Sequence, residues 1–161
     1  MSFCQQITEK NGLPMKRIQR LIICGLLYSL PIAAQAEEVK APDACALIAK
    51  AEIEKAFGEL KEPPKADVGL QQEKECHFTN KNGNYVVLRL YTAERWELQK
   101  GINSEMHPTA VPDLGEEAFY VSKSGNKEMF VRKGAWILEI DGSTDIDILK
   151  TIAATAIARV E

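Results

Sequence analysis

"KECHFTNKNGNYVVLRLYT", residues 74–92, carries the clearest structural signal in the chain. Asn82-Gly83 predicts a hairpin, because a type I′ turn needs positive φ at both central positions and Asn and Gly tolerate it. Alternation on either side predicts strands over 74–79 and 85–92. In the first, Cys76 and Phe78 share a face, with Glu75, His77 and Thr79 on the other. In the second, Val86, Leu88 and Leu90 oppose Tyr85, Val87, Arg89 and Tyr91. If the Val86/Leu88/Leu90 face is the core, Cys76 and Phe78 point into it too.

Working upstream, "ELKEPPKADVG" (59–69) is expected to be loop, since Pro63-Pro64 cannot sit inside a helix or a paired strand. Before it, "ACALIAKAEIEKAFG" (44–58) reads as an amphipathic helix. Asp43 is its N-cap, Gly58 its end, and Cys45, Ala49, Ile53, Ala56 and Phe57 form its buried face. Cys45 is thereby aimed at the same core as Cys76.

Downstream, "AERWELQKGIN" (93–103) predicts a second helix capped by Thr92, with Trp96, Leu98 and Ile102 as its apolar residues and Gly101 weakening it. It ends before His107-Pro108. A loop, "HPTAVPDLG" (107–115), leads to three short strands, "EAFYVS", "KEMFVRK" and "AWILEID". Trp136, Leu138 and Ile140 face inward on the last. Ser143 or Thr144 opens a final helix with Ile146, Leu149, Ala153, Ala156 and Val160 buried. The expected order is α-β-β-α-β-β-β-α. Hairpin-sized connections imply an α+β fold: one antiparallel sheet of about five strands with helices mainly on one face.

The first 36 residues read differently. From Met15, "MKRIQRLIICGLLYSLPIAAQAEE" has the grammar of a secretory signal peptide: Lys16, Arg17 and Arg20, then an apolar run from Leu21 to Ala34, then Ala34-Gln35-Ala36. Spanning a bilayer takes about 20 apolar residues, and this run has 14. Cleavage after Ala36 is expected, with Met15 as the true start and residues 37–161 as a single mature domain. Ile23 before Cys24 does not fit a lipobox. The expected product is periplasmic or secreted, with no stable membrane insertion after cleavage.

Composition narrows the function. The whole chain has 20 Lys and Arg against 23 Asp and Glu. Lys10, Lys16, Arg17, Arg20 and Glu9 lie in the leader, so the mature domain keeps 16 basic and 22 acidic residues, a net charge of −6. That disfavours nucleic acid and anionic membrane surfaces, both of which want a basic face. Of four cysteines, Cys45 and Cys76 remain after cleavage. In an oxidising compartment the simplest expectation is a disulfide. Two free thiols, or a metal site drawing in His77, are the weaker alternatives. No catalytic motif is present, and the pattern of carboxylates demands no acid–base pair. His77 reads as a solvated strand residue and His107 as part of a helix terminus, although Met106-His107 is a pair that a soft metal can use.

"DACALIAKAEIEKAFG" resembles the D-x-C-x-L-[IL]-x-x-x-E-[IV]-x-x-x-[FL]-G opening of small exported bacterial domains of unknown function, many of them lipoproteins. "VPDLGEEAFYV" resembles their V-P-x-L-G-[DE]-x-A-[FYW] segment. The matching positions are Cys45, Leu47, Glu52, Ile53, Gly58, Val111, Pro112, Leu114, Gly115, Ala118 and Phe119, with Cys76 and Phe78 at the second cysteine. The resemblance implies an α+β domain with a helix-to-strand disulfide, and it implies no activity. The chain departs from many relatives in lacking a lipobox.

Two functions are carried forward. One is an exported, non-enzymatic interaction module, without cofactor, that binds a protein or envelope component. The other is a small-molecule binder with a pocket between the sheet and the 107–116 loop, where His107, Pro112, Leu114 and Gly115 are the candidate binding residues. For the loop itself a structural role is the competing explanation: Pro112 and Gly115 shape a turn and Leu114 plugs the sheet edge. A deep cavity lined by Tyr91, Trp96 and Phe119 would favour the pocket. A solid core with exposed apolar residues would favour the module.

Overall fold

The computed structural model describes residues 41–70 and 73–160. Among them, the signature hairpin forms with the boundaries its alternation predicts: β2 is Lys74–Thr79 and β3 is Tyr85–Thr92, antiparallel, with Cys76 opposite Leu88 and Phe78 opposite Val86. Its turn differs from the expected type I′. Gly83 takes φ +83°, Asn82 does not take positive φ, and the Gly83 amide donates to the Asn80 carbonyl. The reason is Asn80. Its side-chain oxygen accepts from the amides of Asn82 and Asn84, and its side-chain amide donates to the carbonyl of Phe57, the last residue of the helix α1 (Lys50–Phe57). The turn with two positive φ values occurs instead at Ser124-Gly125.

Among the described residues the sheet has seven strands, not about five. β1 (Lys65–Val68) and β4 (Thr109–Ala110) are added at its two edges, and with β5 (Glu117–Lys123), β6 (Asn126–Lys133) and β7 (Trp136–Gly142) the strand order is β1-β2-β3-β7-β6-β5-β4, antiparallel throughout. Both additions fall in stretches expected to be loop. Pro63-Pro64 does forbid a ladder, but only up to Pro64, and the next residue begins an edge strand that needs no apolar pattern, because all four of its residues are exposed. β4 is two residues long and pairs Thr109 with Tyr120 and Ala110 with Phe119. β5, β6 and β7 form the meander read from the sequence.

The first helix is also corrected. A 3-10 turn over Ala44–Leu47 is broken at Ile48, which is extended, and α1 begins afresh at Lys50 and runs to Phe57. The break resets the helical phase. Ile53 and Phe57 are buried as expected, but Ala49 is exposed and Cys45 only half-buried, while Ala44, Leu47 and Ile48 enter the core. α2 is Trp96–Asn103 and α3 is Ile146–Ile157. The observed order is therefore α-β-β-β-α-β-β-β-β-α.

α1 and α3 cover one face of the sheet. Between them and the strands lies the main core, which includes Phe78, Leu88, Trp136, Leu138, Ile140, Leu149, Ile152 and Ala153. The opposite face carries a smaller cluster of Trp96, Phe119, Val121, Phe130 and Ile137. α2 belongs there, anchored through Trp96. Cys45 and Cys76 are disulfide-bonded, joining the 3-10 turn to β2 across a separation of 31 residues. The expected signal peptide, Met15 and Cys24 lie outside the described residues. Among the described residues no helix is long and apolar enough to cross a membrane.

Candidate functional site

Four predicted site residues come from the loop between α2 and β5, and the structure separates them. His107 is exposed and left-handed at φ 52°. Pro112 is exposed. Leu114 is buried in the main core together with Val111. Gly115 is held at φ +65°, where a β-carbon would stand 2.5 Å from the carbonyl oxygen of Arg132 on β6. Leu114 and Gly115 thus fasten the loop to the sheet.

A hollow of about 330 Å³ does form beside this loop, lined by Lys100, Ser104, Pro108, Ala110, Glu117, Ala118 and Phe119. Of the three aromatics expected to line a pocket, only Phe119 reaches it. Trp96 is packed instead against Phe119 at 5.4 Å between ring centroids, and Phe119 stacks on Phe130 at 5.0 Å. Tyr91 lines a second hollow of about 240 Å³ at the ends of β3 and β7, with Leu90, Thr92 and Trp136.

Next to the aromatic cluster, the same sheet face carries a ladder of charge. Glu75, Arg89 and Glu139 stand directly opposite one another on β2, β3 and β7. Arg89 donates from Nε to Glu75 Oε1 at 2.6 Å and from Nη1 to Glu139 Oε1 at 2.7 Å, with Asp141 at 3.9 Å. His77 sits 2.9 Å from the other oxygen of Glu75. Burial pushes Glu139 above its ordinary value, and the Arg89 charge only partly offsets it. Burial raises Asp141 in the same way. Tyr91 is also raised, first by burial and then by the charge of Glu139, to which it is hydrogen-bonded. For Arg89, burial lowers the value but the Glu75 hydrogen bond and the Glu139 charge outweigh it, so the guanidinium stays charged. The ladder cross-links three strands, which is a structural task. Alternation in the sequence places Glu75 and Arg89 on one face, but their pairing depends on register, and Glu139 joins only because β7 inserts next to β3. Among the described residues no group of three or more His, Cys, Asp and Glu is placed to hold a metal.

The third candidate was not foreseen. In α2 the indole nitrogen of Trp96 donates to Glu117 on β5 at 2.7 Å. Lys100, on the same side, meets Glu97 at 2.9 Å and Glu117 at 3.5 Å. Asn103 is also turned inward, 2% exposed, and its side chain donates to the Gln99 carbonyl. This orientation leaves Leu98 59% and Ile102 58% exposed. The sequence shows three apolar residues in α2, but spacings of 96, 98 and 102 cannot all fall on one helical face. That mismatch is the signal a reader of the sequence could have used.

No family model matches the chain, and no curated protein matches it. Among solved structures, a GTP binding regulator from Thermotoga maritima aligns over 71% of this chain and 90% of its own, at 14% identity and a TM-score of 0.44. A likeness of that degree carries no functional argument.

Proposed function

We propose that this chain is an exported, disulfide-stabilised, non-enzymatic module that binds a protein or envelope component. One observation carries the reading: α2 buries Trp96 and Asn103 and turns Leu98 and Ile102 to solvent. Each keeps more than half of its surface in water, so covering it completely would add about 1–2 kcal/mol per side chain. The Cys45–Cys76 bond supports export, since such bonds persist in oxidising compartments. The signal-peptide grammar of residues 15–36 supports it independently.

A second reading, the small-molecule binder, is favoured by the hollow beside Pro108 and Ala110, whose volume of about 330 Å³ falls at the low end of ligand pockets. Native mass spectrometry of the protein isolated from its own compartment separates the two. The module reading expects a complex with a second polypeptide. A monomer that carries a discrete small-molecule mass and no polypeptide would overturn it.

A further inference from the structure

The outward face of α2 is built against the interests of folding alone. At neighbouring positions the polar Asn103 is 2% exposed and the apolar Ile102 is 58% exposed, the reverse of what burial would choose. Leu98 lies four residues before Ile102, whereas Met106, in the 3-10 turn that continues the helix, packs back against the aromatic cluster. Residues spaced by four are neighbours on a helix surface, so Leu98 and Ile102 make one apolar patch, unlike the isolated apolar residues that any surface carries. Gly101 is on the exposed side too. Glycine weakens a helix interior, and nothing lies within 4 Å of where its β-carbon would be, so packing within the domain does not require it. Its bare backbone leaves room for close approach from outside.

Charge decides what approaches. Glu94 and Glu105 are exposed on this segment, and Glu97 is exposed but shares Lys100 with Glu117. Its two cations are occupied: Lys100 lies between Glu97 and Glu117, and Arg95 lies 5.5 Å over the Tyr91 ring. An acid-flanked apolar stripe selects a partner whose apolar face is flanked by bases. A second copy of this chain would set glutamates against glutamates, and anionic lipid would be repelled likewise.

We propose that the outward face of α2 docks an amphipathic, basic helical segment of a partner protein, its apolar side meeting Leu98 and Ile102. This rests on the interaction-module reading and adds the chemistry of the partner. Two labelled 18-residue helical peptides test it, sharing one leucine stripe and carrying lysine or glutamate at every other position. In fluorescence anisotropy with the mature protein, the lysine peptide should bind at least tenfold tighter than its glutamate twin. Ile102→Ser should weaken it about tenfold, and Glu94→Lys/Glu105→Lys should weaken it further. Raising the salt should weaken it in step. Equal binding of both peptides, indifference to Ile102→Ser, or comparable Ile102-dependent binding to phosphatidylglycerol vesicles would overturn the inference. So would Ile102-dependent self-association in sedimentation. If a native complex with another polypeptide survives Ile102→Ser, the partner chemistry is wrong and the module reading stands. If no such complex exists at all, the module reading itself fails.

Discussion

Trp96 and Glu117 are joined by a 2.7 Å hydrogen bond from the indole Nε1 to a carboxylate oxygen, and this contact fixes which side of α2 meets the sheet. Trp96 is 2% exposed and packs on Phe119. Trp96→Ala should therefore cost about 3–5 kcal/mol of stability in urea unfolding. Leu98→Ala and Ile102→Ala should stay within about 0.5 kcal/mol of wild type, because those side chains touch little. A large loss from either would show that the exposed stripe is part of the folding core.

Gly115 and Gly101 should respond to alanine in opposite directions. At Gly115 the new methyl meets both a left-handed backbone and the Arg132 carbonyl, so the loop must shift, and a loss of about 2 kcal/mol or more is expected. At Gly101 the space is open, and a gain of about 0.5–1 kcal/mol is expected. Leu114→Asp should damage folding more than binding, because it puts a charge into the main core. A Leu114→Asp variant that melts like wild type but loses its partner would reassign the loop to recognition.

How much of this was legible beforehand follows from where the determining contacts lie. β2, β3, β5, β6 and β7 carry their own periodicity and were legible nearly to the residue, as was the existence of α3, which however opens at Asp145 and not at Ser143 or Thr144 and ends at Ile157, short of Val160. β1 was not legible because an edge strand has no buried face to print a pattern, and β4 because two residues cannot show one. The break at Ile48 was hidden because an apolar residue fits a helical stripe whether or not the backbone is helical. The pairing of Cys45 with Cys76 was read correctly even though the helix thought to carry Cys45 is a 3-10 turn, since the strand phase of Cys76 and the count of cysteines sufficed. The α2 face escaped notice because Trp96 and Leu98 were grouped as one apolar set. Only the Glu117 contact from a distant strand decides between them.

Stability should depend on pH through the sheet-face carboxylates. Glu139 and Asp141 are raised in the folded state above their ordinary values of 4.5 and 3.8, chiefly by burial. An acid with a raised folded value favours folding below its unfolded value, and that advantage is lost as pH rises through the folded one. The urea midpoint should thus climb as pH is lowered from neutrality toward those ordinary values, and Glu139→Gln should flatten the climb. Glu52 is lowered by its bond to Arg159 and pulls the other way, but it is exposed and screened. A midpoint that falls steadily from pH 7 downward in wild type would contradict the assignment.

Removing the disulfide should cost about 2–4 kcal/mol. The bond closes a 31-residue separation that spans Pro63-Pro64 and an exposed edge strand, where the unfolded chain has freedom to lose. Cys45→Ala/Cys76→Ala should keep its circular dichroism spectrum while its unfolding midpoint drops. Two alkylatable thiols in freshly isolated wild-type protein would contradict the bond as a native feature.

The most direct test of recognition through α2 is a photo-activated cross-linking residue placed at Ile102 in the cells that make the protein, with the similarly exposed Val68 position on β1 as control. The account predicts one discrete polypeptide adduct from position 102 and none from 68, with the linked peptide mapping to an amphipathic segment rich in lysine and arginine. The same adduct from both positions, or an adduct from 102 that maps to an acidic segment, to lipid or to a second copy of this chain, would contradict it.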